Sequence, residues 1–160
     1  MILVGHSLGG CIAKKVYILA CQDPTAVDLA ARVHSILFLG TPQRGSGMAA
    51  VLENMLAVAW GRKLCVGDLI PNPGALSAIN NAFRHIAPYI HPPLAFFERL
   101  PNNNATNRIV VERHSATLGL HNEEIAVMDA DYMYRNVCKF DSPSAANGSF
   151  KYAIGHIQFS

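Results

Sequence analysis

The chain carries little charge and no excess of either sign. Of its 160 residues, 13 are Lys or Arg and 11 are Asp or Glu, a net charge of +2 with no basic block and no acidic tail. Nucleic-acid binding therefore lacks an electrostatic footprint. Long apolar runs are also missing. The longest stretches fall well short of the ~20 residues of a membrane span, and the first residues read as a strand and a polar turn, not a secretory leader. The four cysteines, Cys11, Cys21, Cys65 and Cys138, show no CxxC spacing. Neither a zinc centre nor a disulfide framework is indicated, and a reduced intracellular setting is the default. A nucleotide-binding fold is disfavoured because no G-x-x-x-x-G-K-[ST] loop is present. Two glycosylation sequons, at Asn104 and Asn147, are short enough to arise by chance.

What is present is apolar: 51% of the residues are hydrophobic, enough for one domain with a real core. MILVG reads as a buried strand. His6 to Gly10 is a turn, and Gly10 to Cys21 a helix whose apolar residues Ile12, Val16, Ile18 and Leu19 recur at helical spacing, with Lys14 and Lys15 on the other side. Asp23-Pro24 ends it. VHSILFLG is a second continuous strand, followed by the loop Gly40–Gly47. Helices are expected over residues 48–60 and over LSAINNAFRHIA. LAFFERL is apolar but unassigned, RIVVERHSA (residues 108–116) reads as a third strand, and Asn122–Met128 and YRNVCKF read as short helical turns. There are no repeats and no linker. Apolar strands alternating with helices predict an α/β fold with a parallel sheet.

Within that frame, Gly5-His6-Ser7-Leu8-Gly9 fits G-x-S-x-G, the strand-to-helix turn that holds a nucleophilic serine. Gly5 and Gly9 are expected to leave room for a sharp turn, and Gly10 to allow close packing of helix on strand. The turn lifts the Ser7 hydroxyl to the positive end of the following helix, and the Leu8 N–H can bind a developing oxyanion. The bland alternative is a chance glycine-rich turn, which the flanking strand and helix argue against.

Four blocks in order resemble one group: ILVGHSLGGCIAKKVYILA, HSILFLGTPQRGSG, IVVERHSATLGLHNEE and YRNVCKFDSP. The first is common to α/β-hydrolases. The combination resembles the intracellular α/β-hydrolase family of the serine active site containing protein, a DUF676-like, lipase-type group frequent in fungi. The resemblance spans residues 2 to 143 and leaves residues 144–160 as a tail without pattern. It implies a serine esterase or lipase-like hydrolase acting on an ester or lipid-like small molecule. It implies no metal and no organic cofactor, and a location at mitochondrial or endoplasmic-reticulum membranes with peripheral association. GTPQRGS would shape the site floor, with Arg44 an exposed loop arginine or a contact for an acidic group. LAFFER and the helices at 48–60 and 76–87 would correspond to cap-like insertions, lining an acyl pocket or serving as ordinary core.

The chain departs from that pattern twice. The family carries about a hundred residues before the elbow, comparable to a small domain, with the first strands and a second oxyanion donor. The expectation is a partial α/β-hydrolase fold, with Met1 an internal position read as a start and MILVG an apolar sheet edge. The second departure is the base. Where the family has His-x-x-(Val, Ile or Met)-Cys-Lys-Phe, this chain has Tyr134 ahead of Arg135-Asn136-Val137-Cys138. Tyrosine, with a pKa near 10, is a poor general base at neutral pH. His156 is the best of the remaining histidines. His114 and His121 lie where an acid is expected, His6 points away within the elbow, and His34, His85 and His91 lie in strand or helix contexts. For the acid, Glu112 at the end of IVVE is the first candidate, with Glu123, Glu124, Asp129 and Asp131 as competitors or ordinary solvated loop residues. The reading is a hydrolase-like domain with Ser7 intact and weak or no activity. The alternative is a catalytically dead recognition module or gene fragment.

Overall fold

A computed structural model describes residues 1–44, 73–97 and 111–127. These form a four-stranded parallel sheet with flanking helices, the α/β architecture expected. The strands are β1 (Ile2–His6), β2 (Ser35–Leu39), β3 (Leu94–Phe97) and β4 (Glu124–Val127), in the sheet order β1-β2-β3-β4. Between β1 and β2 run α1 (Leu8–Gln22) and α2 (Val27–Ala31). α3 (Pro73–Ile86) and a short 3-10 turn precede β3, and α4 (Arg113–Ala116) precedes β4. None of the described helices is long and apolar enough to cross a membrane. The helix expected at 48–60, the YRNVCKF turn and the 144–160 tail lie outside the described residues.

β2 is buried at every position, as its uninterrupted apolar sequence demands of a strand covered on both faces. Register sets Leu3 beside Ile36 and Gly5 beside Phe38, so these residues share one face. α1 and α3 cover that face with Tyr17, Ile18, Phe83 and Ala87. Phe83 is the hub: its ring meets Phe38 edge-on at 5.9 Å and Tyr17 at 6.3 Å. Each such pair adds ~0.5–1.5 kcal/mol beyond area burial. α3 follows from its own sequence. Pro73 opens it, Leu76, Asn80 and Phe83 form a buried stripe that Ala87 of the 3-10 turn continues, and Arg84 and His85 sit in its last turn, where the helix dipole favours cations.

Four expectations are corrected. LAFF is the third strand, inside the sheet and not in a cap. Within RIVVERHSA, Val111 and Glu112 are not in a strand and Arg113–Ala116 is the helix α4, while residues 108–110 lie outside the described residues. Both segments are apolar and strand-prone. LAFF wins because it fills the position beside β2, where Leu37 pairs with Leu94 and Leu39 with Phe96. The turn expected over 122–128 is instead β4, paired with β3 from Leu94↔Glu124 to Phe97↔Val127.

The fourth correction concerns the face of α1. Ile12, Val16 and Leu19 are exposed, at 65%, 47% and 49%, whereas Lys14 is 0% exposed. The buried stripe is Gly10, Cys11, Lys14, Tyr17 and Ile18. Both stripes have helical spacing, so periodicity alone could not choose between them. Packing chose the one with the small residues, because glycine and cysteine allow the helix to approach the loop after β2.

Candidate active site at the β1–α1 elbow

Ser7 joins the end of β1 to the start of α1 with φ 56° and ψ −132°. Among the described residues it is the one non-glycine with positive φ. A backbone in that region costs of order 1–3 kcal/mol and persists only where its surroundings over-determine it. Those surroundings are explicit. The Ser7 N–H donates to the Leu39 carbonyl at 3.0 Å, extending the β1–β2 ladder by one residue. The Gly10 N–H donates to the Ser7 carbonyl at 3.1 Å. The Ser7 side chain does not cap α1.

The glycines divide unequally. A Cβ on Gly5 would stand 2.4 Å from the Gly10 Cα, backbone against backbone. A Cβ on Gly10 would stand 2.1 Å from the Thr41 hydroxyl. A Cβ on Gly9 would meet no atom within 4 Å, so the expected steric role of Gly9 is not found. Thr41 closes the triangle by donating its hydroxyl to the Gly5 carbonyl at 3.2 Å.

The loop Gly40–Arg44 is the floor beside the elbow, and it is tied on every side. The Gly40 N–H donates to the Phe96 carbonyl at 3.0 Å. The N–H groups of Gln43 and Arg44 both donate to the Ser115 carbonyl, at 2.6 and 3.2 Å. The Pro42 carbonyl accepts from Asn80 Nδ2 at 3.4 Å and faces Cys11 Sγ at 3.7 Å. Arg44 is exposed yet anchored: Nε donates to the His114 carbonyl and one terminal nitrogen to the Thr117 hydroxyl, each at 3.0 Å. Gly119, at φ 73°, leaves the space that the guanidinium occupies.

Lys14 lies beneath this floor. Its ammonium donates to Gln43 Oε1 and, at 2.6 Å, to Asn80 Oδ1. It stands 4.9 Å from the centre of the Phe38 ring and 5.8 Å from that of Phe83. Burial pulls its pKa down to about 8, with Cys11 and then Glu123 opposing the shift. Burial likewise pushes the Cys11 thiol up. Sequence reading assigned Lys14 to the solvent side. The signal it missed was the pairing of one lysine with Gln43 and Asn80, two polar residues each set within an apolar helix or beside an apolar strand.

The expected acids fall in different places. Glu112 precedes α4 and faces His114 at 3.3 Å, with both side chains about two-thirds exposed. Glu112 itself is not in a strand; its backbone is extended at the residue before α4. Glu123 is no solvated loop residue: its carboxylate accepts from the successive N–H groups of Leu118 and Gly119, at 2.7 and 2.8 Å. Partial burial still raises its pKa, against those bonds and the nearby Arg44. Glu124 lies in β4. His34 and His91 stack at 4.9 Å at the amino ends of β2 and β3, a strand's length (~16 Å) from the end carrying Ser7. They are therefore out of reach as bases. Asp129, Asp131, Tyr134 and His156 lie outside the described residues.

No family model matches the chain. Two known proteins align with it over 142 residues, 87% of its length: Protein SERAC1 of Danio rerio at 30% identity and Protein SERAC1 of Bos taurus at 28%. The chain is homologous to part of Protein SERAC1. It spans about a fifth of these curated relatives, 21% of each.

Proposed function

We propose that the chain is part of an α/β-hydrolase-like serine domain, with Ser7 in the nucleophile position. The observation that carries this reading is the backbone of Ser7, held at φ 56° between the strand β1 and a fifteen-residue helix. In the parent reaction the Ser7 hydroxyl attacks the carbonyl of a carboxylic ester, lipid acyl esters included. A base takes the proton, the Leu8 N–H steadies the oxyanion, the ester C–O bond breaks as the base returns the proton to the departing alcohol, and water hydrolyses the acyl-enzyme to the carboxylic acid and free Ser7. The homology to Protein SERAC1 supports a hydrolase-like domain, and the resemblance extends this to peripheral association with mitochondrial or endoplasmic-reticulum membranes.

As written, the chain lacks the base, because Tyr134 occupies the family's histidine position. For the acid, the strand-end argument moves with the strand. β3 ends at Phe97, and the next residue along the chain is Glu98, which lies outside the described residues. The readable signal was an apolar run, LAFF, followed directly by an acid. We assign Glu98 ahead of Glu112 for the role of orienting a base.

The test is fluorophosphonate labelling of the soluble chain. The wild-type chain is expected to show no ester turnover above a Ser7→Ala control. Tyr134→His is expected to bring labelling that disappears in Tyr134→His/Ser7→Ala. Turnover in the wild type that is lost with Ser7 would overturn the inactive reading. A folded Tyr134→His chain that stays unlabelled would favour the second reading, a recognition module.

A further inference from the structure

We propose that Lys14 is a positioning residue for Ser7, its buried ammonium locking the loop Gly40–Arg44 against α1 and so holding the elbow in its strained form. The inference deepens the hydrolase reading and rests on Ser7 being the functional serine. It begins from an energetic oddity. A fully buried ammonium is expensive, and an apolar residue of similar shape is often neutral or stabilising in its place. Lys14 nevertheless sits over the rings of Phe38 and Phe83, with no carboxylate bonded to it among the described residues. What it gains is geometric: one atom joins three elements, α1 through its own backbone, the floor loop through Gln43, and α3 through Asn80.

Lys14 lies one helical turn after Gly10, on the same buried face of α1. Gly10 rests on Thr41 while Lys14 holds Gln43, so the same helix face grips the same loop twice. Through Thr41 the loop then holds the Gly5 carbonyl on the strand side of Ser7. The strain at Ser7 is thus maintained from both flanks by one short loop. Gln43, buried with its Nε2 unpartnered, has little else to fix its side chain.

The experiment is native-state amide hydrogen exchange on the full chain, wild type against Lys14→Met, alongside the unfolding midpoint. Exchange resolves local opening from global unfolding. The expected result is a midpoint unmoved or raised, with the Ser7, Gln43 and Arg44 amides exchanging at least tenfold faster while the β2 amides Leu37 and Phe38 hold. Loop and elbow amides that keep pace with β2 would overturn the proposal, because a merely structural lysine loosens everything together. Should Lys14→Met fail to fold, Gln43→Met attacks the same tie from the loop and must give the same selective loosening. This readout needs no chemistry at Ser7. A serine that stays silent in Tyr134→His therefore sinks the hydrolase reading while the exchange data judge the tie itself. Where the serine does label, Lys14→Met in the Tyr134→His background should slow labelling about tenfold.

Discussion

Two residue types decide the elbow, and each makes a prediction. Gly5 and Gly10 are fixed by contact with backbone and with Thr41, so Gly5→Ala and Gly10→Ala should each cost ~1–3 kcal/mol or more. Gly9→Ala, at an open position near the start of a helix, should be neutral or up to about 1 kcal/mol more stable. Urea denaturation of the three variants checks the order. Lys14 adds a pH dependence. Its proton leaves the folded chain near pH 8 but the unfolded chain only near 10.5, so between those values the unfolded state holds more protons. Stability should therefore rise with pH across that window, by on the order of 3 kcal/mol relative to Lys14→Met, and show no such difference in slope below pH 8. Reading the difference from the variant cancels groups that titrate there without interacting with Lys14; Cys11, whose raised pKa acts in the opposite sense, interacts with Lys14 and does not cancel.

At the scale of elements, α1 tests which side of a helix matters. Substituting Gln for Ile12 or Val16 should move stability by no more than ~0.5 kcal/mol, while Ile18→Ala should cost ~2–5 kcal/mol. Thermal unfolding of the pair distinguishes the two faces. This helix also shows what the sequence could and could not disclose. β1, β2, α3 and the turn at Ser7 were legible because each carries a strong local signature: continuous apolar runs, a helical stripe, and glycines around a serine. The face of α1 was not, because its core side includes a lysine whose partners lie 29 and 66 residues away in the chain. LAFF was unassigned for a similar reason: a short apolar run does not announce a strand, and only its pairing with β2 does. Glu123 was read as solvated because its two N–H donors belong to a turn that the sequence does not announce.

At the scale of the whole molecule, β1 is an outer strand of the described sheet and leaves Val4 60% exposed, and Ile12, Val16 and Leu19 of α1 are exposed as well. Unpaired strand edges with apolar flanks recruit further strands. The chain alone should self-associate across the micromolar range in sedimentation experiments, and Val4→Lys should reduce that association while leaving the circular dichroism unchanged. A wild-type chain that stays monomeric throughout would show the edge to be inert.

The order of the sheet has a consequence for how the molecule is made. Each described strand lies beside the one synthesised before it, so the sheet can grow in a single direction as the chain emerges. The triangle of Gly5, Gly10 and Thr41 is complete by residue 41, before any of α3 exists. Lys14 must wait for Asn80. Until α3 arrives, its ammonium stays in water and costs nothing, and the arrival of that helix both dehydrates it and supplies its second acceptor. The elbow is thus drafted early and sealed late, with the seal closing only after the surfaces it joins have already met.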